Sequence, residues 1–131
     1  MKMIKIMALS ALLAGAAMAN ETLVLNMSKM ENGLNNVQKG FLYNTPALIK
    51  EGVKEIHNAN ALFHNSEATK KYLPKEKQHM SNIAFNAAKR IDASSAELLN
   101  ALNKKQYSKA SQSYSEIVNA CTACHAVVRG W

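Results

Sequence analysis

The sequence predicts an all-α protein, an antiparallel up-and-down four-helix bundle. Three observations carry that prediction. Apolar residues recur at steps of three and four along four separate stretches. Only 2 Pro and 5 Gly interrupt 131 residues, too few for the turns of a sandwich or barrel. No stretch sustains the period-two alternation of a half-buried strand. The length fits one domain.

Residues 1–19 read as a secretory leader that precedes the fold. Lys2 and Lys5 open it, Ile6 to Ala19 is apolar apart from Ser10, and Ala17-Met18-Ala19 supplies a small-x-small cleavage pattern. The apolar run is shorter than the roughly 20 residues that span a bilayer. An uncleaved N-terminal anchor is the alternative. Cleavage after Ala19 leaves a bundle domain over 20–131, expected in the periplasm and free of the membrane.

The first helical stripe is Leu23, Met27, Met30, Leu34, Val37 and Phe41. Asn20 is the expected N-cap, Glu21 suits the positive end of the dipole, and Gly40 is the expected stop. Thr45-Pro46 then marks a start, a capping hydroxyl followed by Pro at the first helical position. Ile49, Val53, Ile56 and Phe63 form the second stripe. Asn65 to Gln78 is polar, contains Pro74, and reads as the longest connection, with room for a short helical turn around Ala68 to Tyr72. The third helix is expected from about Lys77 to Asn103, with Met80, Ala84, Ala87, Ile91, Leu98 and Leu102 inward. The fourth starts near Ser108 and carries Tyr114, Ile117, Cys121, Cys124 and Val128 on one side, with Gly130 closing it.

Charge narrows the function classes. Loss of Lys2 and Lys5 with the leader lowers the formal net charge from +7 to +5. An exported protein with scattered lysines is no candidate for nucleic-acid binding. The densest basic stretch is Lys70, Lys71, Lys75 and Lys77, either a solvated loop or a face that steers an acidic protein partner. The 9 acidic residues are dispersed. No Ser–His–Asp order, glycine-rich phosphate loop or carboxylate pair stands out, so no enzymatic reaction is expected.

Chemistry concentrates near the C-terminus, in Cys121-Thr122-Ala123-Cys124-His125. C-x-x-C-H is the c-type haem attachment pattern. On a helix, positions i, i+3 and i+4 share one surface patch, so two sulfurs can meet the two vinyl groups of one porphyrin edge while the imidazole ligates iron. Both cysteines of the protein lie in this motif. Rival readings are an exported thiol–disulfide oxidoreductase, which expects a strand–helix unit; a zinc site, which needs a fourth ligand from His57, His64 or His79; and a plain disulfide in a haem-free helical adaptor. These three histidines read otherwise as surface or boundary residues.

A four-helix bundle with C-x-x-C-H in its last helix resembles the cytochrome c prime family and its low-spin relatives. Arg129, four residues after His125, matches the family's basic residue beside the haem. Lys39-Gly40 followed by Leu48, Ile49, Val53 and Ile56 is similar to the family's junction between helices one and two. The resemblance implies one covalent haem c held by Cys121 and Cys124, His125 as axial ligand, and either electron transfer with a redox partner protein or binding of NO or CO. It also implies a homodimer through helices one and two. The family's distal residue lies on helix one. Counting back from Lys39-Gly40 puts Val24 there, which leaves the iron open, while Met27 one turn on offers a thioether. Asn20-Glu21 replaces the basic pair that often lies near the propionates.

Overall fold

The computed structural model describes residues 20–130 with their side chains and, of residues 2–19, only the backbone as the leading part of its first helix. The expected leader and its cleavage pattern lie outside the residues whose side chains are described.

The chain is all-α. The helices are α1 (Lys2–Leu42), α2 (Pro46–Asn60), α3 (Ser66–Thr69), α4 (Ser81–Asn103) and α5 (Tyr107–His125), with no strand among the described residues. Short 3-10 turns cover Ala61–Phe63, Lys70–Tyr72 and Lys75–Met80, and a π-helical turn, Ala126–Gly130, follows α5. Among the described residues no helix is long and apolar enough to cross a membrane.

Element limits depart from the sequence reading in instructive ways. Asn20 is no cap: α1 runs straight through it, because neither Gly nor Pro interrupts the stretch around it. Gly40 is no stop either. The helix ends at Leu42 through Asn44, held at φ 53°. The Thr45 N–H donates to the Gly40 carbonyl (2.8 Å) and the Asn44 N–H to the Phe41 carbonyl (3.4 Å), the paired bonds of a Schellman turn. The same device ends α4. Lys105 sits at φ 57°, Gln106 N–H bonds Ala101 O at 2.9 Å, and Lys105 N–H bonds Leu102 O at 3.0 Å. Pro46 opens α2 as expected, but the Thr45 hydroxyl donates back to Tyr43 O at 3.3 Å and does not cap. α4 begins at Ser81 because residues 75–80 are wound as 3-10 helix. α5 begins at Tyr107 after Gln106, one residue before the expected start at Ser108. Gly130 does close the final turn, at φ 74°.

Three glycines set the approach of α1 to α2. A Cβ on Gly33 would lie 2.7 Å from Gly52 O, and a Cβ on Gly52 would lie 2.8 Å from Val37 N. A Cβ on Gly40 would collide with Ile49. The two backbones therefore touch, and the partners run in opposite directions (33 with 52 and 56, 40 with 49). Val37, Val53 and Ile56 are buried beside this contact. α4 and α5 also run antiparallel. Leu98, Ala101 and Leu102 join Ala110, Ile117 and Ala120 in the core, while Arg90–Glu116 (3.5 Å) and Lys109–Glu97 (3.3 Å) pair on the outside. Exposed pairs of this kind contribute at most about 1 kcal/mol, so apolar burial sets the register, at about 1.5–3 kcal/mol for each large aliphatic side chain. α5 meets α1 through the Tyr114 hydroxyl, which donates to Leu34 O at 3.5 Å, and through the Phe41–Tyr114 ring contact.

The polar stretch between α2 and α4 is folded rather than loose. Asn65 Oδ1 accepts from Ala68 N–H at 3.0 Å and caps α3. The buried Thr69 donates its hydroxyl to Asn65 O at 2.7 Å. Tyr72 meets Phe63 edge-on with ring centroids 6.4 Å apart, and Leu73 is buried.

The glycine contact yields a prediction. Gly33→Ala and Gly52→Ala should each lower stability by about 1–3 kcal/mol through overpacking, read by urea unfolding monitored by circular dichroism. Wild-type stability in both variants would show that α1 and α2 do not meet there.

Candidate functional site

The last turn of α5 carries Cys121, Cys124 and His125 at spacings of three and four, so all three share one face. That face borders a cleft of about 610 Å³, within the range of small-molecule sites. Leu23, Val24, Met27, Met30 and Leu34 of α1 form one wall. Ala84, Ala87, Ala88 and Ile91 of α4 form another, and three small side chains in four of these positions leave the space open. Asn60, Phe63, Tyr72 and Leu73 complete the lining. Val128 and Arg129 follow His125 along the same side through the π-helical turn, a device often found beside functional groups.

All six residues singled out from sequence thus border one cleft: Cys121, Cys124, His125, Arg129, Val24 and Met27. Burial grades along the α1 wall. Val24 is 60 % exposed, Met27 is half-buried, and Met30 is 6 % exposed. His57, His64 and His79 do not line the cleft. His57 Nδ1 and His64 Nε2 instead take the two oxygens of Asp92, at 3.1 and 2.6 Å, outside the core. Asn60 is wholly buried. Its amide donates to Ala88 O (2.8 Å) and Asp92 Oδ1 (3.0 Å), while its own oxygen has no partner among the described residues.

The electrostatics of the site separate the rival readings. Both cysteines are free thiols. Burial pushes the Cys121 thiol up, and the neighbouring Cys124 adds to this, partly offset by a backbone hydrogen bond. Burial alone raises Cys124. The pair also lies at the C-terminal end of α5, where the helix dipole opposes negative charge. Reactive dithiols have the opposite setting, with lowered thiol pKa at a helix N-terminus or beside a cation. Burial raises the Tyr114 phenol as well, with Cys121 contributing. His125 is held below the usual imidazole range, first by burial and then by the Arg129 guanidinium. A neutral imidazole keeps its lone pair free for a metal.

The donor set suits a porphyrin better than a bare ion. Two thiols and an imidazole at C-x-x-C-H spacing, a thioether on the facing wall and mostly apolar surroundings fit a covalently attached haem. Among the described residues no group of three His, Cys, Asp or Glu could hold a metal ion, so the zinc reading finds no site.

Sequence reading had overlooked Asn60, Tyr72, Leu73 and Ala88 as cleft residues. A signal existed for two of them: Tyr72-Leu73 is the only large apolar pair in the polar stretch 65–78. Comparison of the chain with protein-family models, with curated proteins and with solved structures gave no match.

Two outcomes follow for the haem-free chain. Iodoacetamide should label Cys121 and Cys124 at neutral pH about tenfold or more slowly than glutathione, with labelling rising only beyond the ordinary thiol range; fast labelling at pH 7 would revive the reactive-dithiol reading. Because His125 is lowered in the folded state, the unfolded chain binds the proton first as pH falls. Stability should be fully present above the ordinary imidazole range and decline as pH drops through it. His125→Gln should flatten that decline in unfolding curves collected across pH 5–7.

Proposed function

We propose that the chain is a periplasmic mono-haem c-type cytochrome of the cytochrome c prime type. In this reading residues 1–19 are removed, and α1, α2, α4 and α5 act as an antiparallel up-and-down four-helix bundle around one covalently attached haem. One observation carries the proposal: the five-residue motif delivers Cys121, Cys124 and His125 to one face of an apolar cleft large enough for a planar cofactor. Cys121 and Cys124 would hold the group through thioethers, and His125 would be its axial ligand.

When bound, the haem supplies a one-electron iron couple and, where an axial position stays open, a site for NO or CO. The protein side chains do the rest. Leu23, Leu34, Ile91 and Val128 give the cleft apolar walls, which would limit water around the bound group and tune how readily a change of charge is tolerated there. Arg129 puts a fixed positive charge beside His125 and favours the reduced form. Of the two distal candidates on the α1 wall, Met27 carries a thioether that would favour electron carriage, while Val24 carries no donor and would leave the iron open to NO or CO. The thiol–disulfide alternative is weaker, since burial and the helix end both work against a thiolate.

The test is expression with a periplasmic haem-attachment system. The purified protein should be coloured, keep haem stain on a denaturing gel, and weigh one haem more than its polypeptide. Cys121→Ser/Cys124→Ser should lose the stain. Colourless protein of polypeptide mass would overturn the proposal. Sharp low-spin bands in the ferrous spectrum that broaden to high-spin in Met27→Ala identify Met27 as ligand; an unchanged spectrum excludes it.

A further inference from the structure

The densest basic stretch of the sequence contributes two residues to the cleft wall and carries its lysines on either side of them. Tyr72 and Leu73, inside the run Lys70 to Lys77, line it. Lys71 Nζ lies 4.9 Å from the centre of the Tyr72 ring, which seats an ammonium on a wall aromatic. The backbone of the segment is anchored by buried Thr69 and Leu73 and by the Phe63–Tyr72 contact. Lys70 is occupied, with both Glu67 oxygens at 2.8 and 2.9 Å. Lys71, Lys75 and Lys77 make no ion pair among the described residues. Exposed Arg129 borders the same cleft and likewise has no ion pair among them. Against these four cations stand two carboxylates, Glu76 in the run and Glu31 on the α1 wall.

We infer that these lysines rim the cleft mouth and form the docking surface for an acidic electron-transfer protein, which exchanges electrons through that mouth. The inference rests on the cytochrome reading and names the partner of that same site. Charge complementarity selects the occupant. Unpaired cations grouped on such a rim raise the local concentration of an anionic partner and orient it, and salt screens the effect over about 8–10 Å. The lysines matter for encounter, so their loss should change association rates and leave the cofactor's spectrum alone.

The experiment uses the haem-loaded protein and two small oxidants of opposite charge, ferricyanide and tris(phenanthroline)cobalt(III), mixed with the reduced protein in a stopped-flow instrument. At low ionic strength Lys71→Glu/Lys75→Glu/Lys77→Glu should slow oxidation by ferricyanide about fivefold or more and speed that by the cobalt complex, the two effects vanishing at high salt. Lys39→Glu/Lys50→Glu/Lys104→Glu, toward the opposite end of the helices, should leave both rates near wild type. The salt dependence of the unaltered protein is an independent reading: the ferricyanide rate should fall with salt and the cobalt rate should rise. Equal rates in the rim variant and wild type, equal effects of the two triple variants, or rim-dependent sedimentation with phosphatidylglycerol vesicles would each overturn the inference. Protein that carries no haem stain overturns the cytochrome reading itself, and with it this inference; haem-stained protein with the wrong rate pattern overturns the inference alone.

Discussion

The backbone contact between α1 and α2 is the constraint on which the rest of the structure depends. Gly33, Gly40 and Gly52 remove the side chains that would hold the two helices apart, and Val37, Val53 and Ile56 seal the gap that remains. With α1 held against α2 on this face, its neighbouring stripe, Leu23 through Leu34, is free to form a wall of the cleft. The facing wall is α4, where Ala84, Ala87 and Ala88 leave a void that larger residues would fill. Native interiors are packed with few voids larger than a water molecule. The cleft of about 610 Å³ between the helices is space that the chain's own side chains leave open beside Cys121, Cys124 and His125.

The end of α5 gives that cleft its chemistry. Burial raises both thiols, with the helix terminus acting in the same sense on them, while burial and Arg129 lower His125. These shifts leave His125 ready to bind a metal and deny the cysteines the thiolate character of a redox dithiol. Burial, common to all three groups, thus works against the reactive-dithiol reading of a motif that, as five letters, permits several.

Much of this was legible without a structure. The stripes at steps of three and four located every long helix, since a chain that must bury one face of a helix has to repeat apolar residues at the helical period. Pro46 announced α2 to the residue. Helix ends were read less well, because they turn on single backbone conformations. Asn44 and Lys105, with positive φ, end α1 and α4 through Schellman bonds, while Gly40, the obvious stop, is used for close packing instead. Asn20 had the chemistry of a cap but no break in the chain before it. The stretch 65–78 looked like a loop because its polar composition hides two anchors, Thr69 and Leu73, whose burial depends on partners distant in sequence.

By itself the sequence determined the helical class, since periodicity and scarce Gly and Pro are local properties, and it determined which two sulfurs and which imidazole share a helix face, since i, i+3 and i+4 spacing needs no knowledge of neighbours. Only the tertiary structure decided that Val24, Met27, Asn60, Tyr72 and Arg129 meet those groups across one cleft. Only it decided the direction in which the thiols and the imidazole are shifted and brought Tyr72 and Leu73 of the lysine run to the cleft wall. Those outcomes depend on which distant surfaces the packing removes from water, and no local spacing encodes that.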